Sequence, residues 1–449
     1  VDDVFAYVAS HRDRFVDELC RLLRQPSISA QDVGVKECAE LVRDAVVAAG
    51  LDARVLPTGG HPVVYGEGRA AGGARTVLIY GHYDVQPPEP LEAWTTPPFE
   101  PTIRDGRIYA RGAGDNKGQL FAHIKALEAV LATRGGLPVN VKLLFEGEEE
   151  MASVHLPEFV AAHRELLRAD VAFSSDGPMH PRGPLVFFGC RGILKLELVA
   201  TGARRDLHSG NYGGVAPAPA VRLARAVASL WDRRGRVAVR GFYDRVRPPS
   251  AADRRALRAI PFDAGAIARD VGVAPPRALR GGAYYRRLLL EPNLNVAGLG
   301  AGYVGPGFKT SIPREARARL DARLVMDQTP DEIEAKIRAH LRRHGFADVT
   351  VRRVGGSFLP SRTPVDHPFG RAVIRAVARA WGRRPIVIPN LGGGLPDYLF
   401  TQTLGLPSVW VPYAPHDESN HAPDENTTIE AFINGIRTTA AALFELAAA

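Results

Sequence analysis

The chain has 449 residues, 45% of them hydrophobic and 24% charged, a composition that argues for a folded protein over a disordered one and a length that suits two domains. Its formal charge of +8 raises nucleic acid or an acidic membrane as partners, but basic pairs such as Arg204-Arg205, Arg233-Arg234 and Arg342-Arg343 are dispersed and no aromatic-basic motif accompanies them, so neither partner is expected. Cys20, Cys38 and Cys190 have no C-x-x-C spacing and indicate neither a disulfide framework nor a thiolate zinc site; they fit a reducing cytoplasm. No uninterrupted apolar run of about 18 residues offers a membrane span, and the first residues are acidic where a signal peptide is basic.

Residues 4–24 carry Phe5, Val8, Phe15, Val16, Leu19, Leu22 and Leu23 at helical spacing, and a second helical stretch runs from about Val35 to Ala49. Short apolar runs then alternate with turns or helices: VVYGE, TVLIYGHYD, the helix GQLFAHIKALEAVL, VNVKLLFEGEEE and DVAFSSDGP. Such alternation predicts an α/β sheet, whose strand carboxyl ends gather polar side chains in one crevice. From about Cys190 the pattern changes to ILKLELVATG, the helix AVRLARAVASL, the strand REARARLDARLVMD, the helix TPDEIEAKIRAHLRRHG and the strand DVTVRRVGG, which suggests a compact α+β unit. After about Pro360 the α/β style returns, with a helix at 368–381 and the strands PIVIPN and PSVWVPYAP. We therefore expect a discontinuous α/β domain, residues 1–189 and 359–449, interrupted by an α+β domain at 190–358.

The strand TVLIYGHYDVQP ends on His82, with Asp84 two residues on and on the same face of an extended chain. A metal-bound imidazole needs a carboxylate or carbonyl to fix its other nitrogen, and Asp84 can supply one. Taken alone, H-x-D fits a buried hydrogen-bonded histidine as well as a ligand. Asp115 stands just before a helix and fits a cap as well as a ligand, while His123 within that helix reads as a packing residue. Glu146, Glu148, Glu149 and Glu150 could form a solvated loop, but they follow a wholly apolar strand, where their repulsion calls for a cation. Asp176 lies just past another apolar strand and His421 in a polar loop. Far apart in sequence, these segments deliver hard or borderline metal ligands to one end of a sheet.

In this order, from GHYDVQP to NHAPDEN, the segments resemble the superfamily of dinuclear zinc aminoacylases, glutamate carboxypeptidases and succinyl-diaminopimelate desuccinylases, and look closest to its cytosolic dipeptidase and carnosinase branch. The resemblance implies a zinc-peptidase-like catalytic domain with helices around a mixed sheet and an inserted lid and dimerisation domain. It implies that His82 and Asp176 bind one ion, Glu150 and His421 the other, and that Asp115 bridges them. Glu149 becomes the general base, Asp84 orients His82, and the bond from Asp115 to Asn116 is expected to be cis. Independently of the resemblance, four positive charges on two divalent ions are balanced by three carboxylates and a bridging hydroxide, and ions about 3.5–4 Å apart can share and acidify one water.

DLHSGNYGG resembles the segment whose histidine crosses a dimer into the partner's site, which makes His208 an oxyanion stabiliser where the residues alone would suggest a turn histidine. In the segment from LNVAGLG to LVMDQTP, the resemblance gives Arg323 and Thr310 the substrate's carboxylate end; an exposed strand arginine is the alternative for Arg323. The turn LGGGLPDY, with Gly393 and Gly394, matches a glycine-rich substrate loop. Four positions depart from the family pattern: Asn116 for a second aspartate, Ala152 for glycine, Ala218 for asparagine and Gly394 for serine. The last two lie near substrate contacts and bear on the choice of substrate. The expected function is hydrolysis of dipeptides or related amides with a free carboxylate, by a homodimer using two divalent ions, zinc first and manganese or cobalt as alternatives. An N-acyl amino-acid deacylase or desuccinylase is the nearest rival, and a non-catalytic binding protein is a third reading.

Overall fold

The computed structural model describes residues 1–72 and 74–449. Its main sheet has eight strands, in the spatial order Asp52–Leu56, Val63–Gly68, Asn140–Glu146, Thr76–His82, Val171–Ser174, Ser408–Trp410, Leu185–Phe187 and Ile386–Ile388. The sheet is mixed. Thr76–His82 runs parallel to both neighbours, whereas Val63–Gly68 is antiparallel to Asn140–Glu146.

Strand alternation explains why both faces are covered. Val77 and Ile79 join one apolar cluster with the helices Arg12–Arg24, Lys117–Arg134, Pro368–Trp381 and Ile429–Ala447, while Leu78 and Tyr80 join another with Leu156, Phe159, Phe400 and Trp410. A strand buried on both sides reads as a continuous apolar run, as TVLIY does. Its polar residues can therefore appear only where the run ends, at His82.

The second sheet is antiparallel, in the order Asn293–Ala301, Glu315–Leu324, Gly192–Thr201 and Thr350–Arg353. Along Glu315–Leu324 buried and exposed residues alternate, and Ala316, Ala318, Leu320, Ala322 and Leu324 pack toward Leu223, Ile333, Ile337 and Leu341 of two helices. The chain is thus an α/β unit whose sheet uses strands from 52–187 and from 386–410, with an α+β insertion between.

Several segments differ from the expectation. Residues 4–24 are two helices, Asp2–Ser10 and Arg12–Arg24, because His11 leaves helical geometry at φ −106° and ψ 13°, although its N–H and carbonyl still bond to Tyr7 and Phe15. The helices Ala251–Ala259, Ala264–Val271 and Gly282–Leu290 and the long C-terminal helix Ile429–Ala447 were not legible as such. The last is buried on nearly every face, so no polar stripe marks its period.

Candidate metal centre

His82 ends its strand in register with Glu146 of the parallel neighbour, and its ring is fully buried. Its Nδ1 lies 3.1 Å from the Asp84 carbonyl and 3.3 Å from the Asp84 carboxylate, so the other nitrogen is turned outward. That atom, Nε2, stands 3.1 Å from Asp115 Oδ1 and 3.8 Å from Asp176 Oδ2, yet it is buried without a properly angled hydrogen bond. A buried lone pair among carboxylates, with no donor to satisfy it, is what a metal ligand looks like without its ion.

Asp115 has a second neighbour on its other oxygen. Its Oδ2 is 3.0 Å from His421 Nε2, which is itself 3.3 Å from Glu150 Oε2. The side chains thus form two groups able to hold an ion, His82, Asp115 and Asp176 in one and Asp115, Glu150 and His421 in the other, each with its ligand atoms within 4.8 Å of one another. Asp115 belongs to both. Residues of these types fit two divalent ions of borderline hardness.

The electrostatics of the bare protein point the same way. Burial, then the charge of Asp115, pushes Asp176 up to about 7, and burial also raises Glu150 above its ordinary value and Glu149 well above it, with neighbouring carboxylates adding to it. Burial would raise Asp115 too, but His421 and His82 hold it below its ordinary value. Hydrogen bonds to Asp115 and Glu150 push His421 up to about 10. Carboxylates so crowded repel one another unless cations enter among them.

The loop carrying Asp115 is shaped by residues that sequence reasoning missed. The buried Glu425 carboxylate accepts the backbone N–H groups of Gly112, Gly114 and Asp115 at 3.0, 3.1 and 3.0 Å, and it accepts Arg111 Nη1 at 2.6 Å. Gly114 leaves room for the Glu418 carboxylate, since a Cβ there would lie 1.8 Å from Glu418 Oε2 and displace it. The Asp115–Asn116 peptide bond is cis. Asn420 donates to Asp115 Oδ2 at 3.0 Å, and Gln86 donates to Glu150 Oε2 at 2.8 Å. Glu425 and Asn420 lie inside NHAPDEN and Arg111 inside GRIYARGAGDNKGQ, so the motifs held them, but nothing in their spacing gave their tasks.

Glu149 and Glu150 occupy a short 3-10 turn, Glu149–Met151, that Ala152 closes at φ +69°, the left-handed conformation in which glycine is unstrained. Glu148, which we read only as one of an acidic run, accepts the His61 and His155 N–H groups at 3.0 and 3.1 Å and is 3.0 Å from the His155 ring. Glu146 accepts Tyr80 and Ser153 hydroxyls at 2.7 and 2.8 Å. Of the four glutamates, two brace the fold and two face the centre. His123, expected as a packing residue, is buried against Thr439.

The remaining expected site residues form two further groups. Arg323 lies near the end of an inner strand of the inserted sheet, between Asn293 and Ile193, 3.6 Å from Asp321, and its Nη1 is 3.9 Å from where a Cβ on Gly394 would stand. Gly393 belongs to the same turn, which the buried Arg191 anchors by two bonds, at 3.0 and 2.8 Å, to the Gly392 carbonyl. His208 and Thr310 meet on a separate two-stranded ribbon, where Ser209 N–H donates to the Thr310 carbonyl at 3.1 Å. Among the described residues, no hydrogen bond or ion pair joins His208 or Thr310 to the five clustered ligands.

Sequence and structure comparisons agree with this geometry. The model of peptidase family M20/M25/M40 matches residues 78–445. The human Beta-Ala-His dipeptidase is 30% identical, covering 100% of this chain and 93% of its own length; a Cys-Gly metallodipeptidase of Schizosaccharomyces pombe is 27% identical, covering 100% and 98%. Among solved structures, an M20 family metallo-carboxypeptidase from Sulfolobus solfataricus superposes with a TM-score of 0.90 at 36% identity, covering 97% of this chain and 99% of that one. The chain belongs to peptidase family M20/M25/M40, and it is a metallopeptidase.

Proposed function

We propose that this metallopeptidase hydrolyses dipeptides with a free carboxylate and works with two divalent ions. The observation that carries the dinuclear reading is the pair of ligand groups sharing Asp115: His82 and Asp176 would hold one ion, Glu150 and His421 the other, with Asp115 between them. When bound, such ions polarise the scissile carbonyl and lower the pKa of water. The dipeptide reading is supported by the relatives, two of which are named dipeptidases over nearly the whole chain.

The protein's own residues then have these tasks. Glu149, beside the ligands but in neither group, removes a proton from the attacking water and returns it to the departing amine; with Gln in its place no proton can be taken. Asp84 keeps the His82 ring turned toward the centre. Arg323, with Thr310, takes the substrate carboxylate, for which the guanidinium fork is suited, and the backbone of Gly393 and Gly394 lies along the bound peptide. His208 stabilises the oxyanion in the site of a partner subunit, which its separation from the centre of its own chain favours. The insertion, residues 190–358, serves as lid and dimerisation domain between the two parts of the catalytic domain. We assign zinc as the first candidate ion, with manganese or cobalt accepted by the same ligands, and the cytoplasm as the compartment, in keeping with three buried free cysteines.

The deciding experiment is turnover by metal-reconstituted protein on dipeptides, N-acetyl amino acids and N-succinyl amino acids. Cleavage of dipeptides is expected. Activity confined to acylated amino acids would replace the dipeptidase reading with that of a deacylase.

A further inference from the structure

Asp84 does more in this structure than turn one histidine. Its carboxylate is fully buried, and its Oδ1 lies 3.3 Å from His82 Nδ1 while accepting the Glu149 N–H at 3.1 Å. Its Oδ2 accepts the Glu150 N–H at 3.1 Å and the Ser29 hydroxyl at 2.7 Å. One side chain therefore touches a ligand of the first ion group and the backbone of the turn that bears both the base and a ligand of the second.

Ser29 supplies the only side-chain hydroxyl in that set, and it comes from elsewhere in the chain. It opens a 3-10 turn, Ser29–Gln31, and is itself buried. The extended segment before it is fastened to the chain that carries Asp84: the Val85 N–H donates to the Ser27 carbonyl at 2.9 Å, and the Ser27 hydroxyl to the Tyr83 carbonyl at 2.6 Å. Of the four contacts to this carboxylate the Ser29 hydroxyl's, at 2.7 Å, is the shortest, and together with the two amides it sets how the carboxylate is turned.

We infer that Ser29 is a positioning residue: by fixing the Asp84 carboxylate it keeps His82 and the Glu149–Glu150 turn in one mutual geometry, so that its loss loosens both ion groups together. The inference rests on the dinuclear reading above. Outer partners of metal ligands typically govern 10–100-fold in affinity or activity.

The test compares Ser29→Ala, Ser29→Thr and Ser27→Ala. Both alanine variants delete one buried hydroxyl bond from the same segment, but the Ser27 hydroxyl ends on a backbone carbonyl. Binding of zinc or manganese to the metal-free proteins is followed by calorimetry, and kcat and KM are measured on a dipeptide. Expected for Ser29→Ala is a roughly 10-fold or greater weakening of both ions and a similar fall in kcat, with KM nearly unchanged. Ser29→Thr should restore most of both. Ser27→Ala keeps the Val85 N–H bond to its carbonyl, so it should lower Tm while changing both far less than Ser29→Ala does. Unchanged metal affinities in Ser29→Ala, weakening of one ion alone, or equal losses in Ser27→Ala would each overturn the inference while leaving the dinuclear reading intact. Wild-type protein that binds fewer than two ions would overturn both.

Discussion

Glu149 illustrates how much one residue's role depends on what surrounds it. It neighbours Glu148, which is spent on two backbone amides and a histidine, and Glu150, which faces His421. We expect Glu149→Gln to lower kcat/KM by roughly 10²–10⁴-fold with bound metal retained, checked by steady-state kinetics beside elemental analysis. At the other extreme His123 has no part in the chemistry but carries a titration. Burial pushes its imidazole down to about 3, so the folded state holds it neutral. The unfolded chain takes up the proton first, below about 6.5, so this stabilisation is complete above that pH and is lost as pH falls toward 3, with a slope of at most about 1.4 kcal/mol per pH unit. Urea unfolding at several pH values should show a shallower acid loss in His123→Gln. His82 and the glutamates stood out because they end apolar strands, where only an exit could place a polar side chain, whereas Asp115 and His421 became candidate ligands only through the ordered resemblance. Ser29 and Arg191 did not stand out, since a serine before a helix and an arginine after an apolar run have many ordinary explanations, and only the fold shows what they touch.

At the scale of elements, the loop 111–115 is held not by its own residues but by Glu425, from the stretch just before the C-terminal helix. The Arg111–Glu425 pair is almost wholly excluded from water, both side chains being 1% exposed. Removing one partner strands the other charge, so Arg111→Met should cost about 3–5 kcal/mol of folding stability and disturb the seat of Asp115. Chemical denaturation of the metal-free protein measures the first effect, and metal titration the second. Strand order explains which elements the sequence disclosed. Thr76–His82 and Val171–Ser174 are central and read as unbroken apolar runs; Ile386–Ile388, though only three residues long, stands out within PIVIPN between its prolines, whereas Leu185–Phe187 leaves too short a pattern to recognise. The helix Ile429–Ala447 escaped notice for the opposite reason: with so few exposed positions, its sequence lacks the contrast between faces on which periodicity depends.

For the whole molecule, the change of pattern near Cys190 and its reversal near Pro360 disclosed the insertion, because a sheet covered on one face alternates and a sheet covered on both does not. Chelation should abolish turnover and lower Tm, since an ion present at about 100 times its dissociation constant adds roughly 2.7 kcal/mol to the folded state; readdition should restore both. The proposed dimer can be tested by light scattering. The strand Asn293–Ala301 lies at the edge of the inserted sheet and exposes Val296 and Leu299, with Val304 and Phe308 open in the loop beyond. Leu299→Arg should give monomers and, if His208 acts across subunits, lose kcat with them. The two oxygens of Asp115 have a consequence in time as well as in space. One faces His82, only 33 positions earlier, and the other faces His421, 306 positions later. Because Glu425 also holds the loop that carries Asp115, neither half of the centre can take this shape before residues 420–425 have been made. Peptide-cleaving competence is thereby withheld from unfinished chains.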